Sequence, residues 1–278
     1  MNITPTVFSE PPGPGQVNED YASVGATAAV VLDGAGLPAV FRGGCSHSVR
    51  WYSETLAESL HEHLLDDSAS VCAALRRALE VTAAAHGSGC RLDEGSPSGT
   101  VAAWRIRGPN LEYLVLGDAS IAFAFNDGGV REIVDDRLDQ LVTPLKQELL
   151  NRWERTGEFD GDEDWLESHR RTAEVLRNVP GGYWVCQVDP AAADEALHGT
   201  VPVANLRGVL LATDGAMRGV HLLGVHDLSQ AVRGYLDDGA AELYGYIRAA
   251  EDRMEHEFAR RRIKPHDDMT VVTHTFSP

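Results

Sequence analysis

Three aspartates in this chain share one local setting. Asp33 follows the apolar run Ala28 to Leu32 and precedes Gly34; Asp214 follows Val209-Leu210-Leu211-Ala212-Thr213 and precedes Gly215; Asp118 closes Leu114-Val115-Leu116-Gly117. In each case an apolar, strand-like run delivers a carboxylate at its end. Two acidic pairs complete the pattern: Glu19-Asp20 stand just before a strand region that begins near Tyr21, and Asp267-Asp268 just before the last apolar run. If those ends fall on one edge of a sandwich, six or seven carboxylates converge. Such a cluster does not stay fully ionised without a compensating cation, and hard oxygen ligands favour Mg²⁺ or Mn²⁺ over zinc. Two such ions about 3.5–4 Å apart can hold a hydroxide between them and steady an in-line phosphoryl displacement. The glycine after an aspartate lets backbone approach a ligand closely. One Asp-Gly pair is an ordinary turn. The repetition of strand–Asp–Gly, with an acidic pair before the last strand, is what points to a site.

The elements that must carry these acids are legible as patterns. Residues 2–8 alternate weakly, as an edge strand does, and Pro11 to Gly15 form a loop. Residues 27–32 read as a buried strand ending at Asp33. Helical spacing predicts helices over about 46–65, where Trp51, Leu56, Leu60 and Leu64 recur, and over 68–86. Four short strands are predicted at 99–107, 111–117, 120–125 and 129–134, split by tight turns, as an antiparallel meander. Residues 136–177 are polar and helical in pattern; 182–188, 207–213 and 269–276 read as strands, and 227–236 and 239–261 as helices. Clustered strands and clustered helices imply an α+β class with packed sheets and helix pairs outside.

Composition limits what such a site can serve. The chain has 278 residues, 43% hydrophobic, ample for a packed core. Its net charge of −18 argues against nucleic acid or an anionic membrane as partner. A phosphorylated substrate would be repelled too, unless bound cations invert the local field. Cys45, Cys72, Cys90 and Cys186 form no CxxC pair, which suits reduced thiols in a cytoplasmic protein. The start, MNITPTVFSEPPGPG, has neither the basic nor the apolar region of a signal peptide. The longest apolar run, Ala26 to Leu32, is too short to span a bilayer.

The ordered series Asn18-Glu19-Asp20, Asp33-Gly34-Ala35-Gly36, Ser98-Gly99-Thr100, Leu116-Gly117-Asp118-Ala119-Ser120, Ala212-Thr213-Asp214-Gly215 and Asp267-Asp268-Met269-Thr270-Val271-Val272 resembles the metal-dependent protein phosphatases (PPM family, type 2C) in a bacterial form. The likeness runs from about residue 14 to 275. It implies a four-layer α-β-β-α sandwich of two antiparallel sheets flanked by helix pairs, one domain over 1–278 with a helical flap at about 136–180. By position, Asp33 bridges two Mn²⁺ or Mg²⁺ ions, Glu19 and the Gly34 carbonyl serve one, and Asp214 and Asp267 serve the other. Asp118, with Asp214, matches the place of a third, weaker ion, and Asp20 supports the site through bound water. Asp268 stands where the family usually has Asn. The implied reaction is direct hydrolysis of phosphoserine or phosphothreonine in a protein substrate by a metal-activated water, with Asp33 and Asp214 indispensable, in a monomeric, cytoplasmic signalling enzyme.

Two positions depart from the family pattern. The Arg that grips the substrate phosphate is replaced by Gly15, leaving Arg42 or Arg50 as substitutes, and Ala35 stands where eukaryotic members place a His, leaving His47 or a metal-bound water to protonate the leaving oxygen. These departures keep two alternatives open: a catalytically weak regulatory protein on the same fold, and a phosphatase of a small metabolite. His61 and His63 read as solvated-face residues, and Trp51 and Trp104 as core.

Overall fold

The computed structural model describes residues 2–35, 43–156, 170–172, 174–261 and 264–277. Among the described residues ten strands form two five-stranded antiparallel sheets. One has the order β1-β10-β9-β6-β7 and the other β2-β3-β4-β5-β8. The strands are β1 (Asn2–Glu10), β2 (Tyr21–Val24), β3 (Ala28–Ala35), β4 (Ser98–Arg107), β5 (Asn110–Leu116), β6 (Ser120–Phe125), β7 (Val130–Val134), β8 (Leu197–Pro202), β9 (Leu206–Ala212) and β10 (Met269–Ser277). Among the described residues the α-helices with defined bounds are α1 (Val49–Leu64), α2 (Val71–Ala85), α3 (Arg137–Thr156), α4 (Asp214–His221), α5 (Leu228–Arg233), α6 (Ala240–Arg253) and α7 (Glu255–Arg261).

Three apolar layers hold four structural layers together, the α-β-β-α sandwich expected. Val30 and Leu32 of β3 meet Tyr52, Leu56 and Leu60 of α1 and Leu75 and Leu79 of α2 on one outer face. Ala29, Val31 and Trp104 meet Ile121, Phe123, Val209 and Leu211 between the sheets. Leu210 and Val271 meet Met217, Val232 and Ile247 on the other outer face. The all-apolar run of β3 follows from this: alternate residues face a helix pair on one side and the opposite sheet on the other, so both sides exclude water. α1 buries Tyr52, Leu56 and Leu60 at helical spacing. Its N-terminus is closed by Ser48, whose hydroxyl accepts from the Trp51 N–H at 3.0 Å.

Three sequence expectations change. Residues 99–134 do not form one meander. β4 and β5 pair with each other, but β6 leaves for the other sheet, where it lies between β9 and β7. The chain crosses at Gly117-Asp118-Ala119, and Gly117 makes the turn with φ of 79°, a left-handed conformation glycine adopts freely. Residues 182–188 form no continuous strand. They make single bridges from Tyr183 to Arg177 and from Cys186 to Gly99, while Tyr183, Trp184, Val185 and Cys186 are buried. Two elements are additional: β8, and α4, which begins at Asp214 itself. The predicted flap contains α3 over its first half.

Candidate metal centre

Antiparallel register brings the acids together. Tyr21 of β2 pairs with Leu32 of β3, so Glu19 and Asp20, just ahead of β2, share an edge with Asp33. Asp33 itself pairs with Thr100 at the start of β4, and Leu116, ending β5, pairs with Val101, which carries Asp118 to the same edge. In the other sheet Ala212, ending β9, pairs with Val271 near the start of β10. That places Asp214 beside Asp267 and Asp268.

The two sheets touch directly there. The Asp214 N–H donates to Asp33 Oδ2 at 3.3 Å. The Thr213 hydroxyl donates to Asp20 Oδ2 at 2.9 Å and accepts from the Thr270 N–H at 3.0 Å. Burial, followed by Asp20, Asp214, Asp118 and Asp267, holds the Asp33 carboxyl well above the ordinary carboxylate range. Burial and then Asp118 and Asp267 push Asp214 up to about 7. Burial raises Asp20, with Asp268 adding to it and the Thr213 hydroxyl opposing. Burial raises Asp118 against a hydrogen bond from Thr100, with Asp139 and Asp267 adding to the rise. Burial also lifts Asp268 to about 6. Mutual elevation of this kind marks carboxylates that lack a counter-charge. Asp20 Oδ1 and Asp268 Oδ1 are buried with no hydrogen-bond partner among the described residues. A set of hard oxygen donors with orphaned lone pairs fits a divalent cation.

The glycines do something other than expected. A side chain on Gly34 would meet Glu19 O at 2.4 Å, and one on Gly215 would meet Asp268 O at 1.8 Å. Each Asp-Gly glycine is bare so that the neighbouring acid-bearing segment can lie against it. The two final acids separate by surroundings: Asp267 raises Asp33, Asp118 and Asp214, whereas Asp268 acts on Asp20.

The expected substrate groups are dispersed. Arg50, read as a phosphate ligand, instead donates to the carbonyls of Asn18 at 3.3 Å and of Asp20, and its guanidinium lies 4.7 Å from the Tyr21 ring centre. It braces the segment that carries Glu19 and Asp20. His47 lies among Cys45, His86 and Cys90. Arg42 lies outside the described residues. Gly15 is exposed, with φ of 78° and no atom near its missing side chain. His61 is half-buried on Ser23, to whose hydroxyl its Nδ1 is bonded at 2.7 Å, rather than solvated. Trp104 is fully buried, while Trp51 is only partly so.

Several groups at the site carry no sequence signal. Lys264 Nζ lies 2.9 Å from Asp267 Oδ1 and lines an open cleft of ≈ 540 Å³ with Gln16, Glu19, His266 and Asp268. Burial pulls its ammonium down, but Asp267, with Asp33 and Asp214 behind it, outweighs this and leaves it raised. Arg218, Arg248 and Glu251 form a buried ion-pair network, both links 2.7 Å, that grips the 264–267 segment. Arg218 donates to Lys264 O at 2.9 Å, and Arg248 to Asp267 O at 2.5 Å. Only the approach of distant elements makes these roles, so spacing along the chain could not reveal them.

No helix among the described residues is long and apolar enough to cross a membrane. Among curated protein sequences none matches the chain significantly. Solved structures do match in fold. The serine/threonine phosphatase PstP/Ppp of Mycobacterium tuberculosis shares 17% identity at a TM-score of 0.60, covering 100% of both chains. The catalytic domain of PstP in complex with two manganese ions shares 17% at 0.56, covering 99% of this chain and 98% of that one. Serine/threonine phosphatase Stp1 of Staphylococcus aureus shares 13% at 0.57, covering 100% and 96%. The family model for protein phosphatase 2C matches residues 13–238. That span takes in every strand from β2 to β9 and four of the five segments that bring acids to the sheet edge, and the chain belongs to the protein phosphatase 2C family.

Proposed function

We propose that the chain hydrolyses phosphoserine and phosphothreonine in proteins with Mn²⁺ or Mg²⁺ held by Glu19, Asp33, Asp214, Asp267 and the Gly34 carbonyl. Asp118 with Asp214 offers a further, weaker position, and Asp20 lies behind the site. One observation carries this reading: carboxyl groups from five chain segments converge at a single edge of the sandwich, where Asp20, Asp118, Asp214 and Asp267 together raise Asp33. When bound, the ions supply Lewis acidity and an activated water. The protein's own contribution is placement. Thr213 fixes Asp20, the Asp214 N–H fixes Asp33, and the Arg218–Glu251–Arg248 network fixes the segment bearing Asp267. Opposite charge beside the acids is supplied by Lys264, two-thirds exposed at the cleft. We assign it the phosphate-holding role that Gly15 leaves open, because a cation on a flexible stem can swing from Asp267 to a phosphate oxygen.

The test is hydrolysis of p-nitrophenyl phosphate and of a phosphopeptide panel with and without Mn²⁺. We expect Mn²⁺-dependent turnover of both, and none detectable in Asp33→Asn. Unchanged activity in Asp33→Asn would defeat the site assignment. Wild-type turnover confined to small phosphates would assign the chain to metabolites, and no turnover by a Mn²⁺-binding wild type would make it a regulatory protein.

A further inference from the structure

Outside the carboxylate edge, a second group of metal-ligating side chains lies where the start of α1 meets the end of α2. Cys45 and His47 precede α1, and His86 caps the C-terminus of α2 with Cys90 four residues on. The ligand atoms of all four lie within 4.8 Å of one another. Cys45 Sγ is 3.4 Å from His47 Nδ1, 3.2 Å from His86 Nδ1 and 3.5 Å from Cys90 Sγ, and Cys90 Sγ is 3.4 Å from His47 Nδ1. A tetrahedron with Zn–S of about 2.3 Å and Zn–N of about 2.0–2.1 Å has S···S edges of about 3.8 Å and S···N edges of about 3.6 Å. These four contacts lie within a few tenths of an ångström of those edges, and the two remaining edges, from His86 to His47 and to Cys90, lie within 4.8 Å.

Hydrogen bonding alone does not account for the cluster. Thiols are weak donors and weak acceptors, yet His86 is 4% exposed, its Nε2 has no hydrogen-bond partner among the described residues, and its Nδ1 faces the Cys45 sulfur. A buried imidazole with a thiol as its polar contact is poorly satisfied. None of the chain's cysteines is in a disulfide. The surroundings are built to hold the four ligands in place. The Gly44 carbonyl accepts from the Arg91 N–H at 2.7 Å, one residue outside each cysteine. A side chain on Gly44 would meet Arg91 O at 1.9 Å, so the two cysteine-bearing segments can approach only because residue 44 is glycine. Trp51 stacks on His47 at 3.8 Å between ring centres and meets His86 edge-on at 4.8 Å, fixing both imidazole planes as the groups around a metal site do.

We propose that Cys45, His47, His86 and Cys90 bind one structural Zn²⁺ in a closed Cys₂His₂ site. Soft thiolates with imidazoles select zinc, whereas the all-oxygen edge selects Mg²⁺ or Mn²⁺, so one chain holds two unlike metal sites. The ion fixes the N-terminus of α1, where Val49 packs on Gly34 and Arg50 holds the Asn18 and Asp20 carbonyls. The zinc clip thereby positions the segments on both sides of Asp33 and takes no part in the reaction.

The full chain, purified without added zinc and dialysed against a weak chelator, is analysed for metal by mass spectrometry. We expect about one zinc per chain in the wild type and in Asp33→Asn, and less than about a tenth of that in Cys45→Ser/Cys90→Ser. If the double variant fails to fold, the wild type still decides: a thiol-blocking mercurial should release the zinc stoichiometrically, and Co²⁺ exchange should give thiolate-to-cobalt charge-transfer absorption with intense tetrahedral visible bands. Absence of zinc after refolding with equimolar Zn²⁺, zinc retained in a folded double-serine variant, or a Cys45–Cys90 disulfide in the protein as purified would each overturn the assignment. The Asp33→Asn arm separates this result from the carboxylate centre, since loss of catalysis there leaves zinc content unchanged.

Discussion

The Asp214 carboxyl stands where the two sheets exchange a hydrogen bond, and burial with Asp118 and Asp267 lifts its pKa from 3.8 to about 7. Asp268 rises to about 6. A carboxyl that binds its proton more tightly when folded contributes stability that is complete below the unfolded value and is lost as pH climbs through the folded one. Stripped of metal, the protein should therefore lose melting temperature between about pH 4 and pH 7. With saturating Mn²⁺ the acids are held ionised by the cation, so the loss should vanish, and the gap between the two melting curves should widen as pH rises. Thermal scans with EDTA and with Mn²⁺ at half-unit pH steps read this out; parallel curves would show that no cation engages the cluster. A second expectation at this scale concerns Lys264. Lys264→Ala should raise KM for phosphorylated substrates about tenfold, the loss of one charge-assisted contact, and change kcat less. Lys264→Arg should restore most of it. Gly15→Arg should not rescue Lys264→Ala, because φ of 78° at position 15 disfavours any side chain and nothing there would orient one. Full rescue would show that the loop rearranges at little cost.

At the scale of elements, the strand ends were legible and their partners were not. The runs before Asp33, Asp118 and Asp214 are apolar because both faces of their strands are covered, and that shows directly in the sequence. Sheet membership does not show: β5 and β6 look like one hairpin, yet Gly117 sends them to different sheets. The role of the glycines was half legible. Their small size is a sequence fact, but the backbone lying against each of them is a tertiary one. Gly215→Ala should accordingly cost more than an ordinary helix-start alanine, since its Cβ would stand 1.8 Å from Asp268 O. We expect a loss of more than about 2 kcal/mol in denaturant unfolding, with weakened Mn²⁺ activation. A neutral result would mean that the 264–268 segment moves freely. Arg50 makes the complementary case, because helix α1 aims it at two carbonyls instead of at solvent. Arg50→Ala should raise the Mn²⁺ concentration for half-activation about tenfold, as a braced segment with unpaired carbonyls loosens, and leave inhibition by inorganic phosphate unchanged. A shift in phosphate inhibition without a shift in Mn²⁺ requirement would return Arg50 to the substrate.

Over the whole molecule the charge is −18, from 24 basic and 42 acidic residues, and the centre's cations cancel only the acids that hold them. A phosphorylated protein segment must therefore approach a negative surface to reach a site selective for negative charge. The field reaches about 10 Å at 0.1 M salt and about 3 Å at 1 M. Near the centre the counter-charges are few and already engaged: Arg218 and Arg248 are bound to Glu251, and Arg218, at 3.5 Å, and Lys264 both face Asp267. Residues flanking the phosphate thus meet a net repulsion if acidic and a net attraction if basic. Among phosphopeptides of equal length, those with Arg or Lys beside the phosphoresidue should show KM values about tenfold lower than those with Asp or Glu at 0.05 M salt, and the ratio should shrink toward unity by 1 M. The contrast should lie in KM with kcat nearly constant, because the flanking charges act on encounter and binding before the phosphoryl group reaches the carboxylate edge. A preference that persists undiminished at high salt would instead require a dedicated pocket for the flanking side chain, in direct contact with the peptide.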